Sequence, residues 1–276
     1  MRSNLDKMNN LTQRILVAIF GIVILISAVI YSQWTYFIVM ALITLISILE
    51  FYKLTGLDGM LPLKFWGAFS AILLVSISFL SEAKILHPKY YYIILPVATS
   101  IFFIKLYKKK DAKPFTNIAY TFLGILYIGV PFSLLNIIAF HFGGYSYQII
   151  LGMLLLIWAS DTGAYFAGSK FGKTKLFFRV SPKKSWEGFI GGAILALGVA
   201  FALSQFFHIL PVWKWLVIGG ITIIAGTYGD LVESLFKRSI EIKDSGKILP
   251  GHGGFLDRFD GLLLSIPFII AFLKLS

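Results

Sequence analysis

The chain has 276 residues, 58% hydrophobic and 14% charged, with mean hydropathy +0.83, a formal charge of +12 and no cysteine. A soluble domain is about half apolar and about a quarter charged, so this composition excludes an ordinary soluble protein and points to one embedded in a membrane. Disulfides, thiolate zinc sites and a Cys nucleophile are excluded outright. The surplus of bases fits cytoplasmic loops, anionic headgroups and phosphates, and nucleic acid is not expected as a partner.

Residues 1–14 are polar and slightly basic, and no small-residue cleavage site follows the apolar run behind them. That run therefore reads as a retained helix rather than a signal peptide. A spanning helix needs roughly 20 mainly apolar residues. Runs at 15–31, 34–52, 64–81, 90–107, 117–141, 147–168, 188–207, 212–235 and 261–275 meet or approach that length. The first two are separated only by Ser32 and Gln33, and a tight hairpin is expected there. The fold class is an all-α integral membrane protein, a polytopic bundle of about nine transmembrane helices.

With the N-terminus in the cytoplasm, the inner segments hold all but four of the 25 Lys and Arg; Lys84, Lys89, Lys214 and Lys274 fall outside. The excess of bases on one side sets the orientation. It predicts a multi-pass protein of the cell (inner) membrane whose two charge-rich loops, 169–187 and 236–260, face the cytoplasm. The basic loop 105–116 reads as a topology determinant lying on anionic lipid. Residues 1–146 are read as scaffold helices with possible dimer contacts, and 147–276 as the catalytic part.

The run 147–168 carries Asp161, with Tyr165 and Gly168 on the same helical face. An acid at that depth must face the bundle interior or a wet cavity. Next come Gly168, Lys170, Gly172 and Lys173, then Ser181-Pro182-Lys183-Lys184-Ser185-Trp186-Glu187-Gly188. Glycines allow backbone amides to approach an oxyanion, and interleaved Lys supplies charge. The spacing is not that of a P-loop. Lys183 and Lys184 are expected on phosphates. Ser181 and Ser185 are either phosphate ligands or plain helix caps, with Ser185 and Glu187 suited to the start of the next helix.

The densest polar stretch runs from Gly229 to Asp260. Asp230, Glu233 or Ser234, and Lys237 make one stripe if the helix continues to the membrane surface, and Asp257 and Asp260 repeat the spacing where the last helix begins. Two helix ends thus converge three carboxylates: Asp230, Asp257 and Asp260. Carboxylates without Cys, in a chain with four His, suit a hard cation such as Mg²⁺ rather than Zn²⁺. Lys237, Arg238, Lys243 and Arg258 would neutralise phosphate oxygens, which is the equipment of phosphoryl or nucleotidyl transfer. His252, set between glycines, could orient a phosphate, act as acid or base, or pair with the backbone of a turn.

The run from Ser234 through Lys237, Arg238, Lys243, Asp244, Pro250, His252, Gly253, Gly254, Asp257 and Arg258 to Asp260 resembles the C-terminal motif of phosphatidate cytidylyltransferases, also called CDP-diacylglycerol synthases. Asp161-Thr162-Gly163-Ala164-Tyr165 and the segment Ser181–Gly188 resemble that family's upstream pattern, so the likeness covers roughly residues 155–270. It implies that CTP and phosphatidic acid give CDP-diacylglycerol and pyrophosphate for phospholipid synthesis. It also implies Mg²⁺, with K⁺ beside it as an option, a homodimer, and contact with membrane lipids. The catalytic set would be Asp230, Asp257, Asp260 and Lys237, with the three acids holding metal. Substrate would meet Asp161, Lys173, Ser181, Lys183, Lys184, Ser185, Glu187, Arg238, Lys243, Asp244, His252 and Arg258. Two other readings stay open: a membrane kinase that moves a γ-phosphate, and a transporter whose buried acids bind a coupling ion.

Overall fold

The computed structural model describes residues 19–109, 111–242 and 254–276. Among them the chain forms nine helices: α1 (Ile19–Tyr31), α2 (Gln33–Leu57), α3 (Lys64–Glu82), α4 (Ile94–Leu106, led in by a 3₁₀ turn over Pro88–Ile93), α5 (Pro114–Ala139), α6 (Tyr147–Phe171), α7 (Trp186–Phe206), α8 (Val212–Ser239) and α9 (Asp260–Leu275). A short antiparallel hairpin, β1 (Lys175–Phe177) and β2 (Ser181–Ser185), lies between α6 and α7. Helices α2 to α8, α4 counted with its 3₁₀ lead, are long and apolar enough to cross a membrane. The protein is therefore an all-α, multi-pass membrane protein. Exposed Ile, Leu and Phe side chains recur along its helices, as hydrocarbon-facing surfaces require.

Local chemistry explains the breaks. Ser32 is extended, its hydroxyl accepts the Thr35 N–H at 3.2 Å, and Thr35 Oγ1 accepts the Ser32 N–H at 3.1 Å. That reciprocal cap ends α1 and starts α2 within one residue. In α5 the turn Ile125–Gly129 widens to a π turn just before Pro131. Proline has no N–H to give and its ring crowds the carbonyl one turn earlier, so the ladder opens there.

The chain divides into two compact units. The described residues of Met1–Val130 and Ile242–Arg258 form one; Pro131–Glu241 and Phe259–Ser276 form the other. In the first, Tyr52 of α2 is wholly buried and donates to the Thr121 carbonyl at 2.6 Å. A Cβ on Gly67 or Gly124 would fall 2.2 or 2.6 Å from its phenol, so α3 and α5 close on the ring only because both are glycine. In the same unit, Lys105 and Asp111 form a buried ion pair, with side chains 1% and 4% exposed. Lys105 also donates to the Leu61 carbonyl, and the Asn117 amide donates to Asp111. Pairing with every partner in place is what makes such burial tolerable.

In the second unit, helices approach through small residues. A Cβ on Gly163 would lie 2.6 Å from the Gly191 carbonyl oxygen, and one on Gly192 would lie 2.7 Å from that of Ser160, which seats α6 against α7. Trp215 of α8 fills the space over Gly152 of α6. Between α8 and α9 the approach is closest at Gly229, where a Cβ would stand 2.5 Å from the Asp260 carbonyl oxygen and 2.9 Å from Gly261 Cα.

Candidate active site

That last crossing builds the site. Gly229 brings α8 against the first turn of α9, and the next residue, Asp230, is thereby set beside Asp260. Asp230 and Glu233 are one turn apart on α8, so both carboxylates leave the same face. Asp230, Glu233 and Asp260 each offer an oxygen, and these lie within 4.8 Å of one another. Two unit charges at that separation repel by roughly 3–4 kcal/mol at an effective dielectric of about 20. Cations offset part of this. Lys184, from the end of β2, pairs with Asp230. Lys237 pairs with Glu233 at 2.7 Å, one turn further along α8, and the Glu233 side chain is 1% exposed. Ser234 and Asp230 oxygens lie 3.3 Å apart, and the Gly261 N–H donates to Asp260 at 2.7 Å. Asp161 of α6 is exposed, and its charge acts on Asp260, as do those of Asp230 and Lys184. Three clustered carboxylates thus stand beside two ammonium groups. All the donors are hard oxygens, so the residues present fit a Mg²⁺-type ion.

The hairpin loop is held from within. Both carboxylate oxygens of Glu187 accept backbone N–H groups, from Lys173 at 3.1 Å and Thr174 at 3.1 and 3.2 Å. Ser185 caps α7 by accepting the Gly188 N–H at 3.2 Å. Lys184 faces the acids while its neighbour Lys183 is exposed, as side chains alternate along a strand. Gly168 and Gly188 lie in the α6–α7 crossing, and a Cβ on Gly172 would strike the Gly168 carbonyl oxygen at 2.3 Å. Gly168 and Gly188 serve the packing of α6 on α7.

The other expected site residues are placed as follows. Ser181 pairs with Phe177 across the hairpin, and Lys173, Arg238 and Arg258 are exposed. Asp257 sits in a 3₁₀ turn (Leu256–Arg258) and accepts the Gly254 N–H at 3.1 Å. Lys243, Asp244 and His252 lie outside the described residues. Glu233 was visible in the Asp230 stripe but was not counted among the metal ligands; its spacing of three from Asp230 was the signal. Glu50 of α2 lies outside the sequence motifs. It is 3% exposed, and its Oε2 accepts the N–H groups of Phe255 at 2.8 Å and Leu256 at 3.1 Å. A lone acid in an apolar span was the available cue.

The sequence pattern of the Cytidylyltransferase family matches residues 12–276. Its relatives include three named phosphatidate cytidylyltransferase. The Staphylococcus haemolyticus protein is 42% identical over 161 residues, covering 58% of this chain and 60% of the relative. The Staphylococcus aureus protein is 40% identical over the same length and shares. The Haemophilus influenzae protein is 45% identical over 129 residues, 45% of each chain. The chain therefore spans about 45 to 60% of the length of these relatives.

Proposed function

The chain belongs to the cytidylyltransferase family, and from that premise we propose that it transfers the cytidylyl group of CTP to phosphatidic acid, releasing pyrophosphate. The observation that carries the reading is the convergence of Asp230, Glu233 and Asp260 beside Lys184 and Lys237. A phosphate oxygen of phosphatidic acid attacks the α-phosphorus of CTP. The bond from that phosphorus to the bridging oxygen breaks, pyrophosphate leaves, and a new phosphoanhydride forms. The lipid phosphate is ionised near neutral pH, so no strong general base is required.

Asp230, Glu233 and Asp260 would hold Mg²⁺, and the family resemblance gives Asp257 the same role. When bound, Mg²⁺ supplies positive charge to the triphosphate and to the departing pyrophosphate. Lys184 and Lys237 begin paired with acids and exchange part of that pairing for phosphate oxygens when the nucleotide arrives. Lys173, Lys183, Arg238, Lys243 and Arg258 add charge around the polyphosphate. Asp161, Ser181, Asp244 and His252 orient it. Ser185 and Glu187 act indirectly, by fixing the loop that carries Lys184. In orientation, the distribution of bases favours a site on the cytoplasmic side of the inner membrane, where CTP arrives from water and the lipid stays in its leaflet. The family resemblance favours a homodimer, which light scattering of the purified protein tests.

The decisive experiment gives purified protein phosphatidic acid and each of the four nucleoside triphosphates, with and without Mg²⁺ and K⁺. Pyrophosphate and a liponucleotide from CTP alone are expected. Release of a nucleoside diphosphate with γ-phosphate transfer would instead make it a kinase.

A further inference from the structure

The segment Gly254–Leu256 presents three successive N–H groups immediately before Asp257 and four to six residues before Asp260. Successive amides of this kind form a concavity that attracts an anion. Here carboxylates fill that role. Asp257 accepts the Gly254 N–H from within the segment. Glu50, 205 residues from Phe255 in the chain, accepts the next two through a single oxygen. Glu50 is the one acid in α2 and is 3% exposed. Burying a carboxylate in an apolar span is costly, and a Leu or Met would fill the space at less expense. Accepting the two N–H groups is the physical reason for a polar acceptor there.

We infer that Glu50 is a positioning residue for Asp257: it fixes the backbone of Phe255 and Leu256, and so sets the direction from which Asp257 presents its carboxylate. The inference rests on the reading of Asp257 as an acid that serves the cation and the triphosphate. Glu50 touches neither. It acts as outer-shell partners of ligating groups act, and their loss costs about 10- to 100-fold in metal affinity.

The test uses the full chain purified in detergent, as wild type and as Glu50→Gln, which keeps an acceptor oxygen, and Glu50→Met, which keeps the reach and loses the acceptor. Three quantities are measured: amide exchange in the peptide spanning 254–260, Mn²⁺ binding by electron paramagnetic resonance, and CTP turnover. For Glu50→Met, exchange at 254–256 rises and half-saturation by Mn²⁺ rises about tenfold or more, while peptides from α6 and α7 exchange as in wild type. Glu50→Gln recovers most of both losses. If Glu50→Met is not recovered folded, Glu50→Asp, shorter by one methylene, is expected to shift both readouts in the same direction. Unchanged exchange overturns the inference. So does faster exchange with unchanged Mn²⁺ binding, which would leave Glu50 a purely structural group. Wild type that binds Mn²⁺ but makes no liponucleotide would sink the assigned reaction alone, since the exchange and Mn²⁺ arms still judge Glu50. Wild type that binds no Mn²⁺ overturns both.

Discussion

Gly229→Ala tests how the site is built with the smallest available change. The new Cβ would meet the Asp260 carbonyl oxygen at 2.5 Å, Gly261 Cα at 2.9 Å and the Asp260 carbonyl carbon at 3.0 Å. All three are backbone atoms, so no side chain can rotate away. Ordinary contact between such atoms begins near 3.5 Å, so α8 and α9 must part by about 1 Å. Overpacking of this kind costs about 1–3 kcal/mol of stability. The effect on chemistry should be larger, because a shift of about 1 Å between groups that must act together can cost about 100-fold in rate. The control is Gly220→Ala in the same helix, where nothing lies within 4 Å of the added carbon. That change should leave turnover intact and add up to about 1 kcal/mol through helix propensity. Liponucleotide formation from CTP and phosphatidic acid, titrated with Mg²⁺, is the assay. Wild-type turnover and Mg²⁺ dependence in folded Gly229→Ala would refute the idea that the α8–α9 approach sets the acid cluster.

Further outcomes are expected. Asp260→Asn should abolish turnover while the purified protein keeps its thermal transition; near-normal CTP turnover would contradict the metal assignment. Lys184→Ala should raise the CTP concentration for half-maximal rate by about tenfold, as loss of a charge-assisted phosphate contact does, and steady-state kinetics reads it. Lys113→Ala should change activity little, since its side chain is exposed and only its backbone N–H serves Asp111. Asp111 gives a pH signature of stability. Burial pushes its carboxyl up, but hydrogen bonds from Lys105 and Asn117 and the Lys105 charge outweigh it and hold it below the ordinary value. A depressed folded-state value means stability present above the unfolded pKa of about 3.9 and lost as pH falls further. Unfolding followed from pH 6 to pH 3 should therefore show an acid-sensitive component that Asp111→Asn, itself less stable at neutral pH, lacks.

Patterns confined to one stretch of chain were legible in the sequence. Hydropathy placed the spans, and the helices match them with ends moved by a few residues; α6 runs on to Phe171 and α8 to Ser239. The Ser185 cap and the Asp230–Glu233–Lys237 stripe follow from helix periodicity, and both are observed. The hairpin between α6 and α7 was not anticipated, because its strands, Lys175–Phe177 and Ser181–Ser185, are too short to carry a period-two signal.

What the sequence alone determined is therefore the class of protein, the approximate spans and the residue types available for chemistry, since each depends on composition or on neighbours three or four positions apart. Tertiary structure decided which of those residues meet. Gly229 matters through Asp260 and Gly261, Asp230 finds its cation on the hairpin, and Glu50 reaches Phe255 across 205 positions. Such partners are chosen by how closely backbones can approach and by which buried polar groups would otherwise lack a donor or acceptor. Neither property belongs to any local stretch of sequence.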